Sequence, residues 1–532
     1  MRKLIFSVII FLTYGTTQAQ FYYNTYLEKT NWPRHPKIHS GVIVPYGEKW
    51  VIIGGRSNGL HGYQTPSAFP ADGIQDSIFV ANPVDLSVKS VSISSIIDVN
   101  IREQLSSSNM LFYKDGNQLY IAGGYGYTAS NDDFITFPYL SLVNMDCLVN
   151  AVENGTDLNA CMQQVYDENM AVAGAHMKKM GDYLYLFFGH RFDGRYAITN
   201  TGVFTQTYTN AIRKFKVTYN PMPLITDFSE QVDTVNFHRR DYNLVEQVYA
   251  DGSTGYSSYS GVFQYGVDLP FENITDIKSD GTTQPVPGFE QKLSHYHSAV
   301  IPAFDSTNNM MLTFFYGGMS RYKFDPQLGL VEDTLVPFVK TISLVKRMSN
   351  GAITEEPCNN IMPGFEGTNA EFIALPGVPM HNGTHVIRAD KFLQLVNVPY
   401  HAGYMVGGIN SEDENVFLQN GVSDGSNAVY KVWLIKEEWG NEEVKTPYRF
   451  SVFPNPGYGE FTVQVSGTLS SDAELIIYDA HGRVVKKRFK PETTNLENPQ
   501  IRLNLEDLKP GNYILKLRSN QYADSQKLVI VR

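Results

Sequence analysis

One pattern recurs along most of this chain and restricts its fold more than any other feature. A strand-like segment is followed by a tight turn and by an apolar strand that ends in two glycines. The glycine pairs begin at Gly54, Gly123, Gly317 and Gly407. A further copy ends at Gly189, with His190 in the place of the second glycine. A small antiparallel sheet cannot bury both of its faces alone, so the pattern predicts a stacked array of such sheets.

The gap between Gly189 and Gly317 has room for one more unit. We predict that it begins at Arg239–Tyr242 and that Tyr259–Gly266 is its glycine-ended strand, which makes about six units. The pattern is similar to the kelch repeat, whose hallmark is an apolar strand ending in Gly-Gly. The resemblance covers roughly residues 35–436. It implies an all-β fold, with a kelch-like β-propeller of about six blades at residues 20–438; an irregular array of β-sandwiches is the alternative.

The last part of the chain, residues 448–532, indicates a separate small β module. Phe461, Val463 and Val465 alternate with polar residues, which predicts a half-buried strand. The module resembles the type A C-terminal sorting domain of proteins exported by the type IX secretion system of Bacteroidetes. The motif residues that carry the resemblance are Pro454, Asn455, Pro456, Gly482, Gly511 and Tyr513. It implies an immunoglobulin-like β-sandwich that the outer-membrane secretion machinery recognises and that is afterwards cut off.

The N-terminus predicts an earlier export step. Arg2 and Lys3 precede the apolar run Leu4–Tyr14, and Thr17–Ala19 is a cleavage site of small residues. These features predict a signal peptide at residues 1–19. The apolar run is too short to span a bilayer, and no transmembrane segment is predicted. With a glutamate-rich linker at 439–447, the chain is predicted to be secreted or displayed on the outer-membrane surface.

Charge and cysteine content limit the partners and cross-links. The net charge of −11 argues against a nucleic-acid partner. Three cysteines cannot build a disulfide scaffold. Cys147 and Cys161 lie in one polar stretch, and the sequence is equally compatible with a bridge between them and with free thiols. The segment Asp157–Val172 is the best helical candidate between the two ends of the chain, and we expect it to decorate a loop.

Arginines follow several of the glycine-ended strands and are the candidate ligand-binding residues. The predicted rim consists of Arg56, Arg191, Arg321, His190 and Tyr125. If the units are blades, the three arginines leave equivalent strand ends on one face. A guanidinium can bind a carboxylate through two parallel hydrogen bonds, so converging arginines favour an acidic ligand. The alternative is that they pair with carboxylates such as Asp193 and hold the units together.

No sequence motif predicts a particular reaction. The chain has no G-x-S-x-G turn, no phosphate-binding loop and no H-E-x-x-H. No cofactor or metal is predicted, because His295 and His297 share a strand face without an identifiable third ligand. The predicted function is a surface or secreted module that binds a glycan or a protein. The alternatives are an enzyme acting on acidic sugars, of the mutarotase or epimerase kind known among kelch-like proteins, and a structural or adhesive surface component.

Overall fold

The computed structural model describes the chain in two compact units, Tyr22–Glu437 and one containing Glu438–Arg532. The described residues are 21–62, 68–197, 204–325, 328–414, 422–438, 448–469, 474–479, 484–489, 496–497, 500–518 and 523–531. Strands make up 54% and helices 7%, so the all-β prediction is confirmed. No helix within these ranges is long and apolar enough to cross a membrane. The predicted signal peptide, 1–19, and the predicted linker, 439–447, lie outside them.

Six sheets follow one another along the described part of Tyr22–Glu437. The first contains Val42–Tyr46, Lys49–Ile53, Ser77–Asn82 and Ser87–Ser92. The second contains Ser108–Asp115, Gln118–Thr128, Tyr139–Asn144 and Met162–Tyr166, with Asp133–Thr136 paired to its second strand. The third contains His176–Met180, Tyr183–Phe187, Ala211–Tyr219 and Pro223–Val232.

The other three sheets repeat this order. The fourth contains Asn243–Val248, Thr254–Tyr259, Thr275–Lys278 and Thr283–Pro285. The fifth contains Ala299–Asp305, Met310–Tyr316, Thr341–Arg347 and Ile353–Ile361, with Ile387–Arg388 parallel to its first strand. The sixth contains Ala370–Ala374, Pro399–Gly407 and Val429–Glu438, and the N-terminal strand Phe21–Lys29 pairs with the last of these. Sheet six is therefore assembled from both ends of the unit.

Short hairpins extend the connections between the second and third strands of three sheets. They are His190–Gly194 with Phe204–Tyr208, Tyr322–Asp325 with Gly329–Glu332, and Ile409–Ser411 with Ser423–Gly425. The described α-helices are Val99–Leu105, Met145–Asn154 and Ala389–Phe392. Short 3-10 turns occupy Ala71–Gly73, Ile93–Ser95, Asn159–Cys161 and Glu168–Met170.

Apolar side chains join each sheet to the next. One buried cluster contains Val51 of the first sheet and Ile121 of the second, and similar clusters lie between the sheets that follow. The sixth sheet also shares a cluster with the first, which contains Val406 and Ile52. Each sheet therefore packs against a neighbouring sheet on both faces, and burial of apolar surface is the dominant favourable term in folding.

Two successive residues with positive φ lie at or just after the end of the second strand in five sheets, and inside the second strand, Gln118–Thr128, in the second sheet. These pairs are Gly54–Gly55, Gly123–Gly124, Phe188–Gly189, Ser260–Gly261, Gly317–Gly318 and Gly407–Gly408. A Cβ on Gly55 would lie 2.5 Å from the carbonyl oxygen of His39, so only glycine fits there. The expected alignment of the third copy is wrong by one residue, because Phe188 rather than Gly189 takes the first position and His190 lies outside the pair.

A residue with positive φ also lies within two residues of the start of the first strand in every sheet. These residues are Ser40, Asn109, Gly174, Asp241, His297 and Asn369. Their backbones are hydrogen-bonded from sheet to sheet: the amides of Asn109, Gly174 and Asp241 donate to the carbonyls of Ser40, Asn109 and Gly174 at 2.8, 3.4 and 2.8 Å. The Asn369 amide donates to the His297 carbonyl at 2.6 Å. The starts of the first strands are therefore neighbours from the first to the fourth sheet and again between the fifth and sixth sheets.

The helical prediction for Asp157–Val172 is wrong. Most of that segment consists of two 3-10 turns and the strand Met162–Tyr166, the outermost strand of the second sheet. The helix lies earlier, at Met145–Asn154, where the Asn144 side chain accepts from the Cys147 amide at its start. A disulfide joins Cys147 in this helix to Cys161, with 5.2 Å between their Cα atoms.

The C-terminal unit contains two further four-stranded sheets. One contains Tyr448–Phe453, Glu460–Leu469, Leu496–Glu497 and Gln500–Asn504. The other contains Glu474–Tyr478, Val484–Phe489, Gly511–Arg518 and Ala523–Ile530. Val463 of the first sheet and Leu515 of the second belong to one buried core. The unit thus has its own hydrophobic centre, as a separate domain requires.

Candidate functional site

The candidate site lies where the second strands end and the first strands begin, which we call the glycine end. There the residue after each positive-φ pair bridges to the residue that precedes the positive-φ residue at the start of the first strand in the same sheet: Arg56 pairs with His39, Tyr125 with Ser108, and His190 with Ala173. Arg56, Tyr125 and His190 therefore occupy one register position in three successive sheets. Arg191 and Arg321 lie one and two residues beyond that position in their own sheets, so the three arginines are not equivalent.

Arg56 is an internal side chain, only 6% exposed. Its Nε donates to Asn58 Oδ1 at 3.0 Å, and a terminal nitrogen donates to the Pro70 carbonyl. Its guanidinium lies 6.0 Å from the centroid of the Phe69 ring. Burial lowers the pKa of Arg56 to about 10, which leaves it charged at neutral pH. These contacts tie the loop after the first glycine pair to its own strand.

Arg191 and Arg321 are neutralised by carboxylates. Arg191 binds Asp193 through Nε at 2.7 Å and Glu168 through a terminal nitrogen at 2.9 Å. Arg321 binds Glu272 at 2.9 Å and Glu332 at 2.8 Å. Glu272 belongs to the fourth sheet's loop, so its bond to Arg321 crosses to the fifth sheet. Each guanidinium is therefore paired with two carboxylates of the protein.

Tyr125 and His190 are also held internally. The Tyr125 hydroxyl donates to the Gly194 carbonyl at 2.5 Å, and its ring packs edge-on to Phe69 and Phe192. Burial raises the pKa of Tyr125 well above its ordinary value. His190 Nδ1 lies 2.8 Å from Gln206 Nε2. Burial, and then the charge of Arg240, hold the pKa of His190 well below its ordinary value, so the imidazole is neutral.

Sequence analysis did not identify the charged pair at the centre of the glycine end, Arg240 and Asp241. A guanidinium nitrogen of Arg240 binds Asp241 Oδ2, and the Tyr296 hydroxyl donates to the same oxygen at 3.3 Å. The side chains of Arg240 and Asp241 are 12% and 10% exposed. Arg240 Nε is buried and has no hydrogen-bond partner among the described residues. One strong donor of this guanidinium is therefore uncommitted.

Aromatic side chains surround Arg240. The guanidinium lies 5.3 Å from the centroid of Phe263, and Tyr196 hydrogen-bonds to it. Burial opposes the charge of Arg240, but Asp241 and the hydroxyls of Tyr296 and Tyr196 hold its pKa well above the ordinary value. The guanidinium is therefore a permanent positive charge in a largely dehydrated site, where electrostatic interactions are strong.

His61 completes the surroundings of Arg240. Its ring packs against both Phe69 and Tyr196, with centroid distances of 4.3 and 5.1 Å, and those two rings are 5.9 Å apart. Burial is the main cause that lowers the pKa of His61 to about 4, and Arg240 and Arg56 add to it. His61 is therefore uncharged at neutral pH and contributes an aromatic, hydrogen-bonding wall.

His295 and His297, the two histidines considered as a metal pair, differ in their surroundings. His295 Nδ1 lies 2.7 Å from the Gly317 carbonyl, and its Nε2 lies 2.7 Å from Ser343 Oγ. Both ring nitrogens of His295 are therefore engaged in the fifth sheet. His297 lies at the glycine end, where its ring is 5.6 Å from that of His176.

The sorting motif is built around Asn455. Its Nδ2 donates to the Lys527 carbonyl at 2.5 Å, and its Oδ1 accepts from the Val529 amide at 2.8 Å. The Gly457 amide donates to the Val529 carbonyl at 3.0 Å, so the motif is hydrogen-bonded to the last strand. The Tyr513 hydroxyl donates to the Lys509 carbonyl at 2.7 Å. Pro454, Pro456 and Gly511 lie at the exposed surface, and Gly482 lies outside the described residues.

Comparison with known proteins identifies the tail. Residues 451–531 match the family model of the secretion system C-terminal sorting domain. The prediction of a type IX sorting domain is therefore confirmed, and it marks the protein for export to the cell surface or the medium. No curated protein matches the chain.

One similar solved structure is titled "Structure of YjhT". It is 11% identical, and the alignment covers 62% of this chain and 86% of that chain with a TM-score of 0.37. At that score the likeness carries no argument about the first unit.

Proposed function

We propose that the first unit is a kelch-like β-propeller of six blades that binds an acidic glycan at its glycine end. Three features support a closed ring. The sixth sheet shares a buried cluster with the first, the first-strand starts of sheets one to four and of sheets five and six are hydrogen-bonded to their neighbours, and the sixth sheet joins both ends of the unit. An open array would leave two sheet faces and a seam in water.

The proposed organisation follows from this architecture. The propeller occupies residues 20–438, and residues 439–447 link it to an immunoglobulin-like sandwich at 448–532. The signal peptide at 1–19 serves the first export step, and the sorting domain is removed after the second. The surface form is then expected to end near residue 447. Recovery of surface protein with an intact Arg532, measured by mass spectrometry, would contradict this.

The observation that carries the ligand proposal is the uncommitted donor of Arg240. Arg240 Nε is buried without a partner among the described residues, and Asp241 binds a different nitrogen, so a ligand carboxylate that reaches Nε would add a hydrogen bond without competing for the nitrogen that Asp241 uses. Tyr196 and Phe263 provide aromatic faces beside it, which suit the apolar face of a sugar ring. We propose that Arg56, Tyr125 and His190 support the loops around this site, and that Arg191 and Arg321 fasten neighbouring parts of the rim.

Binding is favoured over acid–base catalysis because the groups at this site that could transfer a proton have pKa values far from neutral pH. Efficient general acids and bases have pKa values near the working pH. Burial lowers the pKa of His61 to about 4, and the pKa of Tyr196 is raised by burial. An enzyme of the mutarotase or epimerase kind is the second candidate. The Tyr296 hydroxyl, which donates to Asp241, is the contact that favours it.

A direct test measures binding of glucuronic and galacturonic acid to the secreted protein by isothermal titration calorimetry. Glucose and galactose serve as neutral ligands, in which a hydroxymethyl group replaces the carboxylate. Loss of a hydrogen bond to a charged group typically costs about 1.5–3 kcal/mol. Arg240→Gln is therefore expected to weaken uronic acid binding roughly tenfold to a hundredfold, while neutral sugars remain weak ligands. Equal affinities of wild type and variant would refute the proposal.

The test needs a matched arginine and a readout for turnover. Arg191→Gln removes a guanidinium that is already paired with two carboxylates, and it should leave uronic acid affinity unchanged. Thermal unfolding of both variants checks that the unit is folded. Exchange spectroscopy by NMR on the bound sugar separates the two candidate functions, because a mutarotase accelerates interconversion of the anomers and a binding module does not.

A further inference from the structure

Three aromatic rings form a stack next to the Arg240 site. The centroids of Tyr208 and His238 are 3.9 Å apart with an angle of 26° between the rings. His238 and Tyr265 follow at 3.8 Å and 22°. The three rings are therefore nearly parallel and in contact, and Tyr265 is the last of them.

Hydrogen bonds at the ring edges hold the stack in place. The Tyr208 hydroxyl donates to the Val262 carbonyl at 3.2 Å and accepts from the Phe263 amide at 3.0 Å. His238 Nδ1 lies 2.8 Å from Asn210 Oδ1. The Tyr265 hydroxyl donates to the Thr234 carbonyl at 2.9 Å. Rings that are already fixed lose little conformational freedom when a ligand binds to them.

The stack is continuous with the proposed ligand site. The Arg240 amide donates to the Val262 carbonyl at 3.0 Å, the same carbonyl that Tyr208 contacts. Phe263, whose amide binds Tyr208, places its ring against the Arg240 guanidinium. The stack and the Arg240 site are therefore joined through Val262 and Phe263.

Tyr265 is exposed despite being fixed. Its side chain belongs to a residue that is 61% exposed, so one ring face packs on His238 while much of the ring remains in water. Burial lowers the pKa of His238, so the stack presents uncharged rings at neutral pH. A flat, uncharged, fixed π-face suits the C–H groups of a pyranose ring, which meet the negative face of an aromatic quadrupole.

We infer that Tyr265 is a stacking subsite for a neutral sugar ring, and that the ligand is an oligosaccharide whose acidic residue binds at Arg240. This inference rests on the proposed function and extends it from a single sugar to a chain of at least two. In this arrangement Arg240 binds the carboxylate of the acidic sugar, and Tyr265 binds a further sugar ring of the chain.

The experiment compares ligands of one and several rings on the full secreted protein. The probes are glucuronic acid and three oligosaccharides that carry one glucuronic acid on a neutral xylose, galactose or mannose chain. Wild type is expected to bind at least one oligosaccharide more tightly than glucuronic acid. Tyr265→Ala should remove that advantage, a loss of roughly fivefold to tenfold given the usual strength of aromatic contacts, and should leave the monosaccharide affinity unchanged.

Two control variants sharpen the result. Tyr265→Phe keeps the ring and should retain the oligosaccharide advantage. Tyr219→Ala removes a tyrosine of comparable exposure, 54%, from the hairpin of the third sheet and should change neither affinity. Tyr265→Ala must also keep the wild-type melting temperature, since its ring is mostly outside the core.

The outcomes separate this inference from the function on which it rests. Equal wild-type affinity for single sugars and chains, or an unchanged chain affinity in Tyr265→Ala, overturns the stacking subsite. If Arg240→Gln changes neither affinity while Tyr265→Ala weakens the chains, the acidic site is wrong and the stacking subsite stands. Absence of saturable binding to all of these probes overturns both.

Discussion

The disulfide between Cys147 and Cys161 allows a quantitative prediction. The bridge closes a loop with a sequence separation of 14 residues, between the helix Met145–Asn154 and the turn at Asn159–Cys161. The chain-entropy relation for a loop of this length gives about 3 kcal/mol of stabilisation at room temperature. Replacing both cysteines with alanine should therefore lower the stability of the first unit by about that amount, or by about 3 °C in melting temperature for a unit of this size.

Thiol counting and calorimetry check this prediction. The denatured, unreduced wild type should show one thiol, from Cys358, and all three after reduction. The double alanine variant should melt earlier than wild type, and hydrogen exchange should increase first around Met145–Cys161. Cys358→Ser is the matched control, because that cysteine is unpaired. Three thiols in the unreduced denatured protein, or identical melting of wild type and double variant, would refute the reasoning.

Three further predictions follow from single residues. Burial raises the pKa of Glu355 to about 8. The folded state therefore favours the protonated carboxyl, and its contribution to stability is complete below the unfolded pKa of 4.5 and is lost as the pH rises through 8. Glu355→Gln should raise the melting temperature at alkaline pH and leave it unchanged near pH 4. Phe188 is 1% exposed and packs on Phe237 at 4.8 Å, so Phe188→Gly should destabilise by roughly 2–4 kcal/mol in urea unfolding, because the lost packing exceeds the relief of a positive φ. Asn455→Ala removes the bonds to Lys527 and Val529 and should reduce the ratio of protein in the medium to protein in cells, measured by immunoblot; an unchanged ratio would show that this stitching is dispensable for export.

Much of the sheet array can be predicted because a Gly-Gly dipeptide after an apolar strand is recognisable in the sequence. Gly54, Gly123, Gly317 and Gly407 each begin a pair with positive φ, as the recurring pattern requires. The third copy was misaligned because Phe188 holds the left-handed position with an ordinary side chain. Its ring is retained there by burial against Phe237 and Tyr242, a tertiary effect that no local pattern reports.

The helix was misplaced although its signal was present. Met145, Leu148, Val149 and Val152 follow the helical spacing and are all buried, with Gly155 at the left-handed C-cap. The segment expected to be helical instead supplies the strand Met162–Tyr166, because pairing with Tyr139–Asn144 completes the second sheet. Strand pairing between distant segments outweighed local preference at that position.

The rim of arginines was predicted from position, but its chemistry depends on partners far away in sequence. Arg321 binds Glu272, which lies 49 residues earlier, and this pairing cannot be read from the strand ends. Arg240 and Asp241 precede a first strand, whereas the recurring pattern marks the ends of second strands, so the pattern does not point to them. Two adjacent opposite charges before a buried strand are the signal that would have identified them.

The pairing of the N-terminal strand with the last strand of the sixth sheet determines when that sheet can form. Thr25 Oγ1 donates to the carbonyl of Trp433, a contact between residues separated by 408 positions. The N-terminal strand Phe21–Lys29 can pair with Val429–Glu438 only after nearly all of the unit has been synthesised. Closing so long a loop adds little to the entropy cost, which grows only logarithmically, but such distant pairings form slowly. Completion of the sixth sheet is thus a late event, and the unit stays unfinished while its chain is still being made.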